Sequence, residues 1–342
     1  MQIIRKRRLF FMKKFLLILL VLLAGLSLSA CRDDKSADIV TTMFPQYDFA
    51  RQIVGDKMTV SLLTPPGVDI HSYEATSRDM AAIQNAKLFI FTSLEIEPWL
   101  NNLTNIGGPD TVVLDLSTQY VLRDHDHHHD DHHDDHDHTQ SGSQVTLNGD
   151  HHDHDHDDDF HYWTDPTTAI QLIEAILASV IAIDPDNAYF YEANAHAYVH
   201  EIEDLHEALE DFLLDHEREG STIFFAGHNA MGAFAERYHL NIVSLFEDFV
   251  PDADLTSAQL IQFTEAVRTA GVRHLFIEEL VEPKAALAIV NELAKDGYAL
   301  ELLELHGYHN VTREDFETGV SYADLLARNL AYLIIALSEE SM

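Results

Sequence analysis

The sequence predicts an α/β protein of two lobes, each with a parallel β-sheet flanked by helices, joined by a long rigid helix. Short apolar runs alternate with helical patterns along residues 38–114 and again after Gly220, which is typical of parallel βα units. Between these stretches, residues from about 186 to 216 show a helical pattern without Gly or Pro. At 1.5 Å per residue, about 30 residues extend roughly 45 Å, which is enough to span two lobes.

The individual elements follow from local patterns. In the first lobe, Asp165-Pro166 supplies a favourable N-cap and first helical residue for a helix that Asp184-Pro185 then interrupts. The predicted strands are Asp38–Met43, Met58–Leu63, Leu88–Phe91, Thr111–Leu114, Thr222–Phe225, Asn241–Ser244, His274–Ile277 and Ala299–Leu305. The predicted helices, besides the long one, are Tyr47–Val54, Ser77–Asn85, Thr167–Ile183, Ala230–Tyr238, Ser257–Ala270, Pro283–Leu293 and Tyr322–Leu337.

The length also fits two domains, since 342 residues with 46% hydrophobic content exceed the roughly 100–200 residues usual for one. We divide the chain into five segments. They are a leader at 1–30, a tether at 31–37, a first lobe at 38–185, a linking helix at 186–217 and a second lobe at 218–342.

The charge of the chain restricts its ligands. It carries a formal net charge of −37, from 58 Asp and Glu against 21 Lys and Arg. Such a surface repels phosphate backbones, so nucleic-acid binding is excluded and cations are expected. The single cysteine, Cys31, excludes a disulfide framework and a Cys-rich zinc module.

Residues 1–30 have the pattern of a secretory signal, because six basic residues precede the apolar run Phe15–Leu26 and no acid is present. The run is shorter than the roughly 20 apolar residues that a transmembrane helix needs. It leads into Leu28–Cys31, which reads LSAC and resembles a bacterial lipobox. We therefore expect an exported protein that is lipid-anchored through Cys31 at the outer face of the bacterial cell membrane. An uncleaved anchor helix is the alternative, and Met12 is an alternative start.

The segment Asp124–Asp159 holds twelve His and thirteen Asp and almost no apolar residue. This composition cannot form a core, so the segment is predicted to be disordered without metal. Closely spaced imidazoles and carboxylates favour a weak, multivalent collector of borderline divalent ions such as zinc. An inert charged linker is the alternative; the interleaved Asp residues argue against a purification tag.

Four of the other histidines occupy equivalent places, after a predicted strand or before a helix. Ligands of open parallel sheets bind outside the carboxyl ends of the strands, and neutral imidazole is the commonest ligand of divalent transition metals. The four are His71, His161, His228 and His306. By contrast, His196 and His200 lie four apart on the long helix without the Glu of a metalloprotease motif, which favours a solvated helix face.

Three of these histidines lie in longer motifs. Pro66–Glu74 reads PGVDIHSYE, His161–Pro166 reads HYWTDP and Gly227–Ala230 reads GHNA. In combination they resemble the ligand motifs of the zinc- and manganese-binding solute-receptor lipoproteins of bacterial ABC importers, and the resemblance covers about residues 38–342. Ile70 and Ala75 replace two prolines that are usual in the first motif. The His-rich segment is a mark of the zinc-transporting branch.

The resemblance implies a metal ion in the cleft between the lobes, bound by His71 and His161 from the first lobe and His228 from the second. The fourth ligand stays open, because members of the family use a carboxylate, a water or another histidine. Strand position favours His306. Glu278, after the predicted strand His274–Ile277, is the second candidate and is alternatively an orienting group. His309 is the third.

The expected function is capture of Zn²⁺ by a monomer that delivers it to an ABC permease driven by a cytoplasmic ATPase. Imidazole ligands must be deprotonated, so affinity should fall below about pH 6.5. A manganese receptor is the first alternative, although Mn²⁺ favours more carboxylates. Others are a secreted zinc hydrolase with Glu74 or Glu278 as general base, and a metal-binding adhesin or buffer. The sequence contains no H-E-x-x-H motif, which argues against the hydrolase.

Overall fold

The computed structural model describes residues 37–70, 73–102, 106–120, 161–246 and 256–338, which belong to one compact unit. The leader with Cys31, the candidate ligand His71 and the segment Asp124–Asp159 lie outside the described residues. The expectations about these parts of the chain therefore stay predictions.

Two parallel four-stranded β-sheets form the centre of the described structure. The strands are β1 (Ile39–Thr41), β2 (Val60–Leu62), β3 (Leu88–Phe91), β4 (Val112–Asp115), β5 (Thr222–His228), β6 (Asn241–Phe246), β7 (His274–Ile277) and β8 (Glu301–Glu304). The first sheet has the order β2-β1-β3-β4 and the second has the order β6-β5-β7-β8, with parallel neighbours throughout. Both sheets thus share one topology, and the predicted fold class is confirmed.

Helices flank both sheets. The α-helices of the described residues are α1 (Phe44–Val54), α2 (Ser77–Asn85), α3 (Pro166–Ile183), α4 (Ala188–Asp215), α5 (Gly232–Arg237), α6 (Ser257–Ala270), α7 (Lys284–Ala294), α8 (Arg313–Thr318) and α9 (Tyr322–Ser338). The predicted long helix is α4, which begins after a 3₁₀ turn at Pro185–Asn187. The short helix α8 has no counterpart in the sequence prediction.

Local signals explain several helix ends. The carboxylate of Asp165 accepts a hydrogen bond from the Thr167 backbone N–H at 2.9 Å, so α3 begins at Pro166 as the sequence predicts. Helix α6 begins with a capping box between Thr256 and Gln259. It ends at Gly271, whose φ of 70° lies in the left-handed region that favours glycine.

Apolar strands read as continuous runs because the sheets are covered on both faces. In β3, Leu88 and Ile90 pack in one core cluster, whereas Phe89 and Phe91 pack in another on the opposite face. Side chains alternate across a strand, so a fully buried strand needs apolar residues at every position.

Two helices, not one, run between the cores of the lobes. Helix α4 buries Ile202 in the first core and Leu209 in the second. Helix α9 does the same with Leu326 and Leu333. The sequence predicts only α4 as a connection, since nothing in the pattern of α9 distinguishes a helix that spans two cores from one that belongs to a single lobe.

One helix of the described residues, α3, is long and apolar enough by composition to cross a membrane. Its side chains Leu172, Ile173 and Ile176 are buried in the first core. Helices in the core of globular proteins have the same length and composition, so this observation is weak evidence for a membrane span.

Candidate metal centre

Three buried histidines come together between the two sheets. His161 precedes a 3₁₀ turn at Tyr162–Thr164, His228 is the last residue of β5, and His309 lies in the loop after β8. One nitrogen of each ring lies within 4.8 Å of the others, and the ring centroids are 5.0–5.4 Å apart. The three side chains therefore converge from separate segments of the chain on one point.

His161 is held by the motif that follows it. The Thr164 hydroxyl donates to the His161 carbonyl at 2.9 Å, and the Trp163 indole donates to the Gly307 carbonyl at 2.9 Å. Asp165 then receives two hydrogen bonds from the guanidinium of Arg237 on α5, each 3.0 Å long. The motif of the first lobe is thereby attached to the second lobe at two residues that follow His161.

His228 reaches the cluster because β5 is longer than predicted. The pairing between β5 and β6 shifts register between Phe225 and His228, and the strand continues through this irregularity. Helix α5 consequently begins at Gly232, not at Ala230. The Glu278 carboxylate lies 2.8 Å from Nδ1 of His228. This contact leaves the other ring nitrogen, Nε2, as the atom of His228 that can coordinate a metal ion.

The neighbouring Glu279 holds His309. One oxygen lies 2.9 Å from Nδ1 of His309 in a hydrogen bond, and the other accepts the Gly307 backbone N–H at 2.9 Å. Burial lowers the pKa of His309, but the hydrogen bond and charge of Glu279 outweigh it and raise this pKa overall. Burial likewise raises the pKa of Glu279, but His306 and His309 hold it well below its usual range. Glu279 is therefore ionised and keeps a proton on Nδ1 of His309.

His306, the candidate favoured by strand position, lies outside the cluster. Its Nδ1 accepts a hydrogen bond from the Tyr308 backbone N–H at 2.9 Å. The backbone N–H of His306 donates to the side-chain oxygen of Asn329 on α9. Tyr308 has a φ of 64°, and this left-handed turn redirects the chain so that His309 faces His161 and His228. The pair Gly307-Tyr308 between the two histidines is the sequence signal of this turn, although it does not show which histidine faces inward.

The loop that leads to His71 is attached to the His309 loop. Asn310 donates from its side chain to the carbonyls of Pro65 and Val68, both at 2.8 Å. The Gly67 backbone N–H donates to the Val311 carbonyl at 2.8 Å. The described part of the first predicted motif thus lies beside the cluster.

The two carboxylates that the sequence offers as a general base for a hydrolase lie in different surroundings. Glu74 is exposed, and Glu278 lies against His228. Of the predicted site residues in the described part of the chain, His161 and His228 are in the cluster and Glu278 contacts His228. His306 is outside the cluster, with its Nδ1 3.8 Å from the Glu279 carboxylate.

A family model described as the periplasmic component A of zinc-uptake complexes, ZnuA, matches residues 39–336. The chain belongs to this family. The match includes both sheets and all three histidines of the cluster.

Relatives of the ZnuA family include two named for zinc. The zinc-binding lipoprotein AdcA of Streptococcus pneumoniae is 31% identical over 333 residues, which cover 94% of this chain and 60% of AdcA. The high-affinity zinc uptake system protein ZnuA of Bacillus subtilis is 29% identical over 316 residues, which cover 91% of this chain and 92% of that protein. The chain thus spans about three-fifths of AdcA and nearly all of the Bacillus protein.

Solved structures of the ZnuA family have the same architecture. The Zn(II)-bound ZnuA-like domain of S. pneumoniae AdcA superposes with a TM-score of 0.67 at 25% identity, covering 89% of this chain and all of that domain. The metal-dependent lipoprotein YcdH of B. subtilis superposes with a TM-score of 0.68 at 26% identity, covering 87% of this chain and 98% of the other.

Proposed function

We propose that this chain is an extracytoplasmic receptor that captures Zn²⁺ and delivers it to an ABC permease driven by a cytoplasmic ATPase. The observation that carries the proposal is the convergence of His161, His228 and His309 within 4.8 Å, buried between the two lobes. The relatives named for zinc binding and zinc uptake support the same conclusion.

The donor set favours zinc over manganese. Zn²⁺ readily takes four tetrahedral ligands and binds imidazole well, whereas Mn²⁺ prefers carboxylates and water. In our proposal His161, His228 and His309 supply three imidazoles and His71 supplies the fourth. Glu278 and Glu279 stay outside the coordination shell, since each faces the Nδ1 side of an imidazole.

A metal ion at this point connects the lobes. His161 belongs to the first lobe, and His228 and His309 follow strands of the second sheet. A ligand that contacts both lobes stabilises their closed arrangement by the difference between its affinities for the closed and open forms. Binding and closure are thereby linked, which lets a permease distinguish the loaded receptor from the empty one.

The cellular location and a role for the His- and Asp-rich segment are also part of the proposed function. Lipidation of Cys31 would anchor a monomeric receptor at the outer face of the cell membrane. The segment Asp124–Asp159 would collect metal near the deep site, because many weak ligands raise the local concentration of zinc.

Zinc titration of single-site variants in competition with a chelator tests the site. Changing His161, His228 or His309 to Ala should each weaken binding strongly. His306→Ala removes the acceptor of the Tyr308 backbone N–H beside His309, and should weaken binding much less than loss of a cluster histidine. His200→Ala, which changes an exposed histidine of α4, should bind as wild type. The segment Asp124–Asp159 is deleted in all proteins, so that its own zinc ions do not obscure the deep site. Wild-type affinity in the His161, His228 and His309 variants would contradict the proposal. A loss in His306→Ala as large as that in His309→Ala would contradict the choice of His309.

A further inference from the structure

A cavity lies at the amino-terminal ends of the central strands of the second sheet. It has a volume of about 340 Å³ and is bordered by the first residues of β5 and β7 and by the last turns of α6 and α9. His228 lies at the other end of β5, so this cavity is separate from the histidine cluster. A ligand in this cavity therefore does not contact the proposed zinc ligands.

Two arginines border this cavity without an acidic partner. Neither Arg218 nor Arg273 forms an ion pair within the described ranges. Acids outnumber Lys and Arg by 58 to 21 in the whole chain, so carboxylates that could pair with an arginine are abundant. Four other arginines do contact carboxylates, namely Arg51, Arg237, Arg268 and Arg328. Two positively charged side chains thus border one cavity in a chain that is acidic as a whole.

The cavity wall also contains a buried, unsatisfied polar group. His274, at the start of β7, is only 6% exposed, and its Nδ1 has no hydrogen-bond partner among the described residues. A buried polar atom without a partner costs free energy unless a ligand or water supplies one. Ser221 and Thr222 add hydroxyl groups, and Thr222 already accepts from the Asn241 amide, which leaves its own O–H to donate.

We propose that this cavity binds an oxyanion of the phosphate-ester class. A guanidinium group is planar and can donate two parallel hydrogen bonds to two oxygens of one phosphate. Ile223, Phe276 and Leu337 form an apolar wall that accommodates the carbon substituent of an ester. The carbonyl ends of α6 and α9 also border the cavity. Their partial negative charge opposes the positive charge of the two arginines, so we expect a modest affinity for the oxyanion.

Two sources supply this chemistry, a soluble phosphate ester and the headgroup of a phospholipid. The test titrates the full chain with inorganic phosphate, glycerol phosphate and a short-chain phosphatidylglycerol below its micellar concentration. Ionic strength is held constant with chloride, and binding is followed calorimetrically and by the NMR signals of His274. Saturable binding is expected. Tighter binding of the lipid than of glycerol phosphate identifies the headgroup, and the reverse order identifies the soluble ester.

Variants assign the binding to the cavity. Arg218→Gln and Arg273→Gln should each weaken binding about tenfold, as expected for loss of a charge-assisted hydrogen bond. Arg313→Gln removes an equal charge from an exposed site outside the cavity and should leave binding unchanged. Zinc affinity should be equal in all three, which shows that they are folded. Absence of saturable binding for every probe, or equal weakening in Arg313→Gln, would overturn the proposal.

Discussion

Replacing Glu279 by Gln tests whether the imidazole of His309 has to be held by a carboxylate. Glu279 is buried, and its two oxygens accept from His309 Nδ1 and from the Gly307 backbone N–H, each at 2.9 Å. Gln has nearly the same volume but only one oxygen. Its NH₂ group must therefore face one of the two donors, and the negative charge beside His309 is lost.

We expect Glu279→Gln to weaken zinc binding about 10–100-fold, the range typical of groups that orient a metal-binding histidine. This corresponds to about 1.4–2.7 kcal/mol, which agrees with the roughly 1.5–3 kcal/mol of a hydrogen bond to a charged group. A second effect has the opposite sign. Glu279 raises the pKa of His309, so protons compete with zinc at this ring in the wild type as the pH falls. Removing Glu279 relieves that competition, and the difference in affinity should narrow toward about pH 6.

The assay is competition with a fluorescent zinc chelator between about pH 6 and pH 8, the range in which imidazoles titrate. Glu282→Gln is the matched control, because Glu282 lies on the same loop with an exposed side chain that contacts only the surface residue Lys284, at 3.3 Å, among described ion pairs. Equal affinity and equal pH dependence in the two variants would refute the role of Glu279. A loss of zinc affinity that is equally large at every pH would show that Glu279 supports the loop but does not raise the pKa of His309.

Three further predictions concern the stability of the fold. Burial raises the pKa of Glu97 to about 7, above its ordinary value of 4.5, so its contribution to stability is full below pH 4.5 and is lost as the pH rises through 7. Glu97→Gln should remove roughly 3 kcal/mol of this pH dependence in urea denaturation, and an unchanged profile would contradict it. Arg237→Met leaves the buried carboxylate of Asp165 without its two-pronged partner, and should lower the free energy of unfolding by about 3 kcal/mol; a change near zero in chemical denaturation would show that the pair is dispensable. Ile202→Ala opens a cavity where α4 crosses the first core, and a loss of about 2–5 kcal/mol is expected by calorimetry. A much smaller loss would mean that the core closes around it.

Much of the secondary structure could be predicted from the sequence, because short-range preferences decide it. The apolar run Leu88–Phe91 is a strand with the predicted bounds, and His274–Ile277 is another. Asp165-Pro166 begins α3 where the pair predicts a helix start. These features depend on side chains within a few residues of one another, so that the local pattern is sufficient.

The candidate site could be predicted only in part. His161 and His228 stand out because each lies in a motif with its own local signals, and the structure brings both into the cluster. Between His306 and His309 the sequence favours the residue nearer the strand end. The left-handed Tyr308 and the carboxylate of Glu279 place His309 in the cluster instead. Glu279 follows β7 directly and lies thirty residues before His309 in the chain, so the local pattern does not show that the two meet.

The sequence by itself determined the α/β alternation, the positions of most strands and helices, and a set of histidines suited to a divalent metal. Hydrophobic periodicity, helix caps and side-chain chemistry are properties of neighbouring residues, and they persist in any fold that the chain adopts. Only the tertiary structure decided the strand order, the second helix that joins the two cores, and which histidines meet. These features depend on contacts between distant segments, such as Asp165 with Arg237 and Glu279 with His309, and the geometry of such contacts exists only once the lobes have packed.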